Sequence, residues 1–429
     1  LSLHDALPIC LSAVFMQSDM QANIAVIHPL VDLASKYGFQ RDPFPKVNYP
    51  NYVHKVWEAI HQHGNGCDYV SEQVLQKATS KTGSLIFNTR KYQTLVCIEV
   101  ETMHIETAKA IQQFAEAGGT IIFIGKTPHQ SAGYTNFKRV SKEIENISNS
   151  ILKKHPKKTG VVTIPENDLI NWWLAIQTQF EIKPYVKISN PVIHVNQVYY
   201  TSGDKDIFWF SNYSAAKPHR FSANFNNNKT AWIWNAETGE RSLYPVTNNG
   251  TLEIELGPSE SKLIVFENQK NGESYKLENT KKLKETAITG PWQLTLNHLN
   301  NTSQKITINE LIDLKQLTDT KDFSGNIIYK KVVSINSNSS KTYLSLGHIN
   351  DVSELEVNGQ TIGVQWYGKH LYDISKAVKP GNNYISIKII TTAGAYTKSL
   401  KKNKAAQEWS RGNLFGPTGL TENVTILTD

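Results

Sequence analysis

The hydrophobic pattern of this 429-residue chain changes once, near Val186, and that change constrains the fold class. Between Ala22 and about Phe180, short β-branched runs alternate with stretches of helical periodicity. After Val186, apolar and polar residues alternate in short runs that are separated by turn residues. Strands that alternate with helices form a parallel sheet with helices on both faces, whereas period-two strands form antiparallel sandwiches. We therefore predict a multidomain protein, α/β in its first part and all-β in the rest.

The first part, residues 22–183, is predicted to be a three-layer α/β domain. Its predicted strands are NIAVIHPL (23–30), SLIF (84–87), YQTLVCIEV (92–100) and TIIFIG (120–125). Its predicted helices are NYVHKVWEAIHQHG (51–64), HIETAKAIQQFAEAGG (104–119) and DLINWWLAIQTQF (168–180), because their apolar residues recur at helical spacing. Residues 135–165 are polar and rich in lysine and asparagine, so we expect a helix followed by an exposed connection.

The second part is predicted to contain two all-β domains. A small β-sandwich covers residues 184–268 and includes a hairpin over residues 198–214 around Gly203-Asp204. A polar linker follows at 269–287, and a second sandwich covers 288–429. The Asn358-Gly359 pair predicts a tight hairpin turn in that second sandwich. Four residues in its alternating strands are expected to face the core: Trp292, Leu346, Val357 and Ile387.

Residues 1–21 are interpreted as an upstream remnant or an artefactual N-terminus, since LSLHDALPI (1–9) resembles translated sequencing-adapter read-through. No apolar run reaches the ~18 residues that a membrane span needs. The net charge of +7 is spread along the chain. Its lysine clusters lie in linker-like segments without stacking residues, so we expect no nucleic-acid partner. The three cysteines have no metal-ligand spacing, and the metal content stays unknown.

Three residues after a predicted strand are the local candidates for acid/base chemistry: Glu99, Glu101 and His104. The carboxyl ends of parallel strands are where open α/β sheets bind ligands. The alternative is that the acidic side chains only stabilise the start of the next helix. We favour this structural interpretation, because position in a fold does not by itself give function.

Four residues in the second sandwich are candidates for sugar contact: Trp366, Tyr367, Trp409 and Arg411. Aromatic faces pack against the C–H surfaces of sugar rings. The competing interpretation is packing in the core or between domains, and the sequence does not exclude it.

The last segment resembles the galactose-binding-like jelly roll that serves glycoside hydrolases as a sugar-binding domain. The resemblance is carried, in order, by GPWQL (290–294), DFSGNIIYKK (322–331), YLSLGHINDVSELEVNGQTIGVQW (343–366), LYDISKAVKPGNNYISIKI (371–389) and GLTENVTIL (419–427). The upstream segments resemble the C-terminal half of glycoside hydrolase family 106, the α-L-rhamnosidases, through NIAVIHPL, CDYVSEQVL, YQTLVCIEVETM, FAEAGGTIIFIGKTP, IFWFSNYS, AWIWNAETGE and LGPSESKLIVF. The α/β portion alone also resembles the amidotransferase- or flavodoxin-like module of certain β-galactosidases.

This resemblance implies a secreted or periplasmic enzyme that hydrolyses α-L-rhamnosides of plant or pectic glycans. It implies an inverting mechanism with two carboxylates, and a bound calcium ion in the full-length enzyme; no cofactor is evident in this chain. The catalytic residues are then expected in a domain upstream of this chain, which itself would be inactive.

Three alternatives remain. The chain could be a non-catalytic carbohydrate-binding protein or a fragment of a β-galactosidase-like hydrolase. An amidotransferase-like enzyme would need a cysteine nucleophile at a strand-to-helix elbow. Cys97 instead lies within a predicted strand, and no elbow glycine follows it.

Overall fold

The computed structural model describes residues 11–38, 49–247, 250–276, 283–335, 339–412 and 416–429. The segment LSLHDALPI therefore lies outside the described residues. By its contacts the chain divides into two compact units. The first unit contains the chain up to Asn212, with His219–Glu255 and Ser261–Tyr275. The second contains Tyr213–Pro218, Leu256–Glu260 and the chain from Lys276 onward.

A five-stranded parallel sheet organises the start of the first unit. Its strands lie in the order Thr159–Val162, Thr120–Ile124, Thr94–Ile98, Ile24–Ile27 and Cys67–Tyr69. Numbered along the chain, this is the order 2-1-3-4-5 of flavodoxin-like folds, read from the Cys67–Tyr69 edge. The expectation of an exposed connection after the helix near residue 150 is wrong for Thr159–Val162, which is a strand. This strand, TGVV, is only four residues long and has few apolar residues, so the hydrophobic pattern of the sequence does not reveal it.

Helices cover both faces of the sheet. The helices of this part are Leu30–Tyr37, Val53–Gln62, Glu72–Lys77, Ile105–Glu116, Phe137–Lys154 and Leu169–Gln179. Successive residues of each strand are buried on opposite faces of the sheet. Leu95 and Cys97 pack with Ile111 and Phe114 on one face. Val96 and Ile98 belong to the core on the other face. Burial on both faces explains why these strands are continuous apolar runs.

Two small sheets flank the parallel sheet. Thr79–Lys81, Ser84–Phe87 and Arg90–Tyr92 form an antiparallel three-stranded sheet. The short strands Thr102–Met103 and Gln130–Ser131 pair in parallel. This second pair joins the loops that leave two central strands, and it positions the candidate residues described below.

The rest of the first unit is antiparallel. One sheet has the order Asp19–Met20, Val195–Ser202, Lys205–Asn212, Ser261–Glu267, Thr230–Trp234 and Arg241–Leu243. The other contains Val186–Ile188, His219–Phe225 and Thr251–Leu256. The predicted hairpin at 198–214 is confirmed, because Ser202 pairs with Lys205 across Gly203-Asp204. Of the segment 1–21, the part from 11 onward packs here: Phe15 stacks on Tyr200 with ring centroids 4.6 Å apart.

Buried hydrogen bonds explain why the α/β part and these sheets form one unit. His61 donates from Nδ1 to the backbone oxygen of Gln197 at 2.9 Å. The Gln197 amide donates in turn to the backbone oxygen of Asn65 at 2.7 Å. Both side chains are fully buried, and buried polar groups of this kind fix one arrangement of the elements that they join.

The second unit is built mainly from two antiparallel sheets. One has the order Ser303–Ile308, Trp292–His298, Gly325–Ile335, Gly381–Ile390, Val352–Val357 and Gln360–Gln365; the other has Lys284–Ala287, Thr425–Thr428, Thr342–Ser345 and Leu371–Asp373. The sequence predicts a linker at 269–287, and that prediction is wrong for Lys284–Ala287, which pairs with Thr425–Thr428. Short 3-10 helices at Leu314–Gln316 and Thr318–Thr320, and helices at Gly394–Ser399 and Lys404–Trp409, complete the described elements. The four predicted core residues all lie in its hydrophobic core, which confirms that prediction.

Candidate functional site

A topological switch point lies at the carboxyl edge of the parallel sheet. The neighbouring strands Ile24–Ile27 and Thr94–Ile98 are followed by connections that lead to opposite sides of the sheet order. Such a divergence opens a crevice at the carboxyl ends of the strands, where open α/β sheets bind ligands. His28 directly follows the first strand and Glu99 directly follows the second. The candidate Glu99 therefore lies at the place where this fold favours a site.

Glu99 adopts a backbone conformation that is rare for its residue type, with φ of 51°. Its carboxylate accepts a hydrogen bond from the hydroxyl of Tyr52. It also lies directly over Gly125, where an added Cβ would be only 2.4 Å from Glu99 Oε1. A side chain at this position would displace the carboxylate, and the φ of 77° at Gly125 by itself favours glycine.

Glu101 joins Glu99 through a shared lysine. The Lys126 ammonium lies 2.5 Å from Glu101 Oε1 and 3.9 Å from Glu99 Oε2. The hydrogen bond to Glu101 is the main reason that the pKa of Lys126 is raised. His129 lies 3.7 Å from the other oxygen of Glu101. The loop that carries Glu101 is held by Asp32, whose carboxylate accepts hydrogen bonds from the backbone N–H groups of Glu101 and Thr102 at 3.1 and 3.2 Å.

His104 contacts a different carboxylate. The Glu72 oxygen Oε2 accepts from the backbone N–H of His104 at 2.8 Å and from the Thr107 hydroxyl at 2.5 Å. His104 Nδ1 lies 3.1 Å from the same oxygen. The structure therefore brings Glu99 and Glu101 together but places His104 with Glu72, at the start of helix Ile105–Glu116.

This geometry favours a structural cluster over an inverting acid/base pair. An inverting pair needs ~6.5–9.5 Å between its carboxyl groups, to leave room for a water molecule. Here the Lys126 ammonium contacts an oxygen of each carboxylate, so the two groups share one cation as an ion-paired cluster does. Burial and the Glu99 carboxylate raise the pKa of Tyr52, so its hydroxyl remains a donor. The assignment of these residues as non-catalytic stays a prediction.

Sequence reasoning found Glu99 and Glu101 but missed their partners. Tyr52 is separated from Glu99 by 47 positions and belongs to no motif. Lys126 lies in Gly125-Lys126-Thr127-Pro128, which lacks the spacing of a phosphate-binding loop. The one sequence feature that could have identified Lys126 is its position just after a predicted buried strand.

The crevice does not provide a thiol nucleophile. Cys97 is completely buried in the central strand, and burial raises the pKa of its thiol. Reactive cysteines need partial exposure and a lowered pKa. Burial also lowers the pKa of His28, whose ring lies edge-on to Tyr69 at 6.0 Å. These environments argue against amidotransferase-like chemistry.

In the second unit, Trp366 and Tyr367 contact each other edge-to-face with centroids 4.8 Å apart. The loop that they begin is packed against the segment 257–260. The Gly368 N–H donates to the Pro258 oxygen at 2.7 Å, and an added Cβ at Gly257 would lie 2.8 Å from the Gly368 Cα. Both aromatic residues are half-buried, which favours packing over stacking on a sugar.

Trp409 and Arg411 lie elsewhere in that unit, at the end of helix Lys404–Trp409 and in the turn after it. The Trp409 side chain is 81% exposed, and Arg411 is exposed as well. Of the four predicted sugar contacts, these two are the more accessible to a ligand.

The described residues give no metal centre: no group of three or more His, Cys, Asp or Glu among them is arranged to hold an ion. We therefore assign none of them to the calcium ion that the resemblance implies. Every helix within the described ranges is too short or too polar to cross a membrane.

Comparison with known proteins gives two informative similarities. The family model for glycoside hydrolase family 106, alpha-L-rhamnosidase, matches residues 51–246, somewhat less than half of the chain. The structure of a rhamnosidase from Novosphingobium sp. PP1Y is similar over 97% of this chain and 40% of its own length, with a TM-score of 0.59 and 18% identity. At that identity the similarity shows the fold alone, and the chain spans well under half of the matched protein.

Other matches are weaker. An exo-carrageenase of family GH42 from Bacteroides ovatus covers 57% of this chain and 29% of its own, with 14% identity and a TM-score of 0.35. A β-glucuronidase from Faecalibacterium prausnitzii covers 36% and 32%, with 15% identity and a TM-score of 0.26. Neither supports an argument. No curated protein sequence is significantly similar. The two rhamnosidase matches therefore agree, one in sequence over residues 51–246 and the other in fold.

Proposed function

We propose that this chain is the C-terminal accessory part of a glycoside hydrolase that removes α-L-rhamnose from plant or pectic glycans. The observation that carries the proposal is the similarity of almost the whole chain to 40% of a rhamnosidase structure. The family match over residues 51–246 supports it from the sequence. On this proposal the catalytic domain belongs to the same polypeptide and lies upstream of the residues described here.

The proposed reaction is inverting hydrolysis. One carboxylic acid protonates the leaving oxygen, and a second carboxylate activates the attacking water on the opposite face of the sugar ring. We propose that the Glu99 and Glu101 cluster does not supply this pair, and the ion pairs of both carboxylates with Lys126 support that proposal. The pair is therefore proposed to lie in the catalytic domain, as is the calcium ion implied by the resemblance.

The two units of this chain are proposed to support that domain and to contact the glycan. Trp409 and Arg411 are the proposed sugar contacts, supported by their exposure. Trp366 and Tyr367 are proposed to be packing residues. Because polymeric plant glycans are degraded outside the cytoplasm, we propose a secreted or periplasmic location.

The test is to express the longest reading frame that contains this chain and to follow an aryl α-L-rhamnoside by proton NMR. We expect release of L-rhamnose, with the β-anomer appearing first because inversion reverses the configuration. Release of the α-anomer first would contradict the mechanism. Hydrolysis of β-galactosides in place of rhamnosides would favour the β-galactosidase-like alternative.

A further inference from the structure

A pocket of about 360 Å3 lies in the second unit, away from all the candidates above. It is formed by the turn end of the hairpin Trp292–His298 and Ser303–Ile308, together with the segment 318–323. Its volume falls within the range of ~300–1,000 Å3 that is typical of small-molecule sites. No motif in the sequence marked it, because its walls come from a turn and a 3-10 segment without a repeating pattern.

The floor of the pocket is apolar and fixed. Leu296 and Phe323 are buried there. His298 lies edge-on to Phe323 with ring centroids 5.2 Å apart, and edge-on to Tyr396 at the same distance. The Asn300 N–H donates to His298 Nδ1 at 3.0 Å, which assigns the hydrogen of the neutral ring to Nε2. The floor thus offers the small accessible part of Leu296 and Phe323 together with one ring donor.

The rim of the pocket carries polar groups with unused bonding capacity. Gln304, Asp319, Lys321 and Asp322 line it and are exposed. Across the described ranges, none of these four side chains has a hydrogen-bond or ion-pair partner. Lys321 is not paired even with the two aspartates beside it in the chain. The rim therefore presents two anionic acceptors, one cationic donor and one amide.

This combination selects a class of ligand. A hydroxyl-rich ring uses acceptors and donors together and packs its C–H face on an apolar floor. An acidic ligand would meet two carboxylates and only one ammonium. Asp319, Asp322 and His298 do not form a metal site, because no three His, Cys, Asp or Glu residues among those described are arranged to hold an ion.

We propose that this pocket is a non-catalytic subsite for a neutral saccharide. The proposal rests on the proposed function, because it takes the ligand to be part of the glycan that the full enzyme attacks. We expect the pocket to bind neutral sugar units. Uronic acids should bind more weakly, because their carboxylates would be repelled by Asp319 and Asp322.

The test is titration calorimetry on the 429-residue chain with neutral oligosaccharides and with oligogalacturonate. We expect a neutral oligosaccharide to bind, and the double variant D319N/D322N to bind it at least tenfold more weakly. Lys321→Ala changes a second exposed position of the rim and should also weaken binding of the neutral oligosaccharide. Glu285→Gln removes one negative charge from an exposed strand of the other sheet and should leave binding unchanged. Unchanged melting temperatures would show that each variant is folded.

Three outcomes would overturn the proposal: no neutral saccharide binds, calcium alone binds, or binding survives D319N/D322N and is lost in Trp409→Ala. The proposed function is tested separately by rhamnose release from the longer reading frame. A longer protein that lacks rhamnosidase activity, together with saccharide binding at this pocket, would refute the enzyme assignment and leave the subsite standing.

Discussion

The Glu99 carboxylate lies over Gly125, and single substitutions measure what this close approach contributes to stability. Gly125→Ala should destabilise the first unit, because the new methyl group would lie 2.4 Å from Glu99 Oε1. Overpacking of this kind costs ~1–3 kcal/mol. Gly239→Ala is the matched control: its φ of 74° is nearly the same as that of Gly125, but nothing lies within 4 Å of the added Cβ.

The difference between the two variants in denaturant unfolding therefore isolates the contact with Glu99. Adding Glu99→Ala to Gly125→Ala should recover part of the lost free energy of unfolding, because contacting residues are not additive. Equal destabilisation by Gly125→Ala and Gly239→Ala would show that the carboxylate does not sit over the glycine.

His370 makes the stability of the second unit dependent on pH. Burial, with a smaller effect of His348, lowers the pKa of His370 from 6.5 to about 4, and its Nδ1 lies 2.6 Å from the Ser353 hydroxyl. The fold prefers the neutral ring, so this stability is fully present above pH 6.5 and is lost as the pH falls toward 4. The loss amounts to at most ~3 kcal/mol.

The measurement is the free energy of unfolding between pH 7 and pH 4 for the wild type and for His370→Asn. The variant should show a shallower decline over that window. Asp351, whose pKa burial raises to about 6, acts in the opposite direction in both proteins, so its effect cancels in the difference. If the free energy of unfolding falls equally with pH in both proteins, His370 is not the cause of the pH dependence.

At the scale of elements, the sequence was informative where a local signal is strong. Asn358 and Gly359 both have positive φ, 54° and 82°, as a two-residue hairpin turn requires, and they join Val352–Val357 to Gln360–Gln365. Thr159–Val162 was missed because few residues of a four-residue edge strand are buried, so its sequence shows no clear hydrophobic pattern. Glu99 and Glu101 were found because they follow a buried strand. Tyr52 and Lys126 were not, since only the folded chain brings them to the carboxylates.

Leu346 tests the predicted core of the second unit. It is 1% exposed and belongs to the cluster that contains Trp292, Val357 and Ile387. Leu346→Ala should lower the free energy of unfolding by ~2–5 kcal/mol, through lost burial and the cavity left behind. Leu299→Ala, at a position that is 50% exposed, is the control and should change it by less than ~0.5 kcal/mol. Similar effects of the two changes would mean that Leu346 does not face a packed core.

At the scale of the whole molecule, the pattern change near Val186 was enough to predict a multidomain protein with α/β and all-β parts. It did not reveal that the α/β part and the sheets after it share one compact unit. The contacts responsible, from His61 to Gln197 and from Gln197 to Asn65, join positions more than a hundred residues apart. The proposal that catalysis belongs to an upstream domain, with this chain as an accessory part, also concerns the whole molecule.

The most direct test of that claim is the activity of the 429-residue chain itself toward an aryl α-L-rhamnoside. We expect no release of rhamnose above the buffer rate, for the wild type and equally for Glu99→Gln and Glu101→Gln, because the catalytic pair is proposed to lie in the upstream domain. Rhamnose release by the wild-type chain that disappears in either variant would contradict the account and place the active site in the crevice.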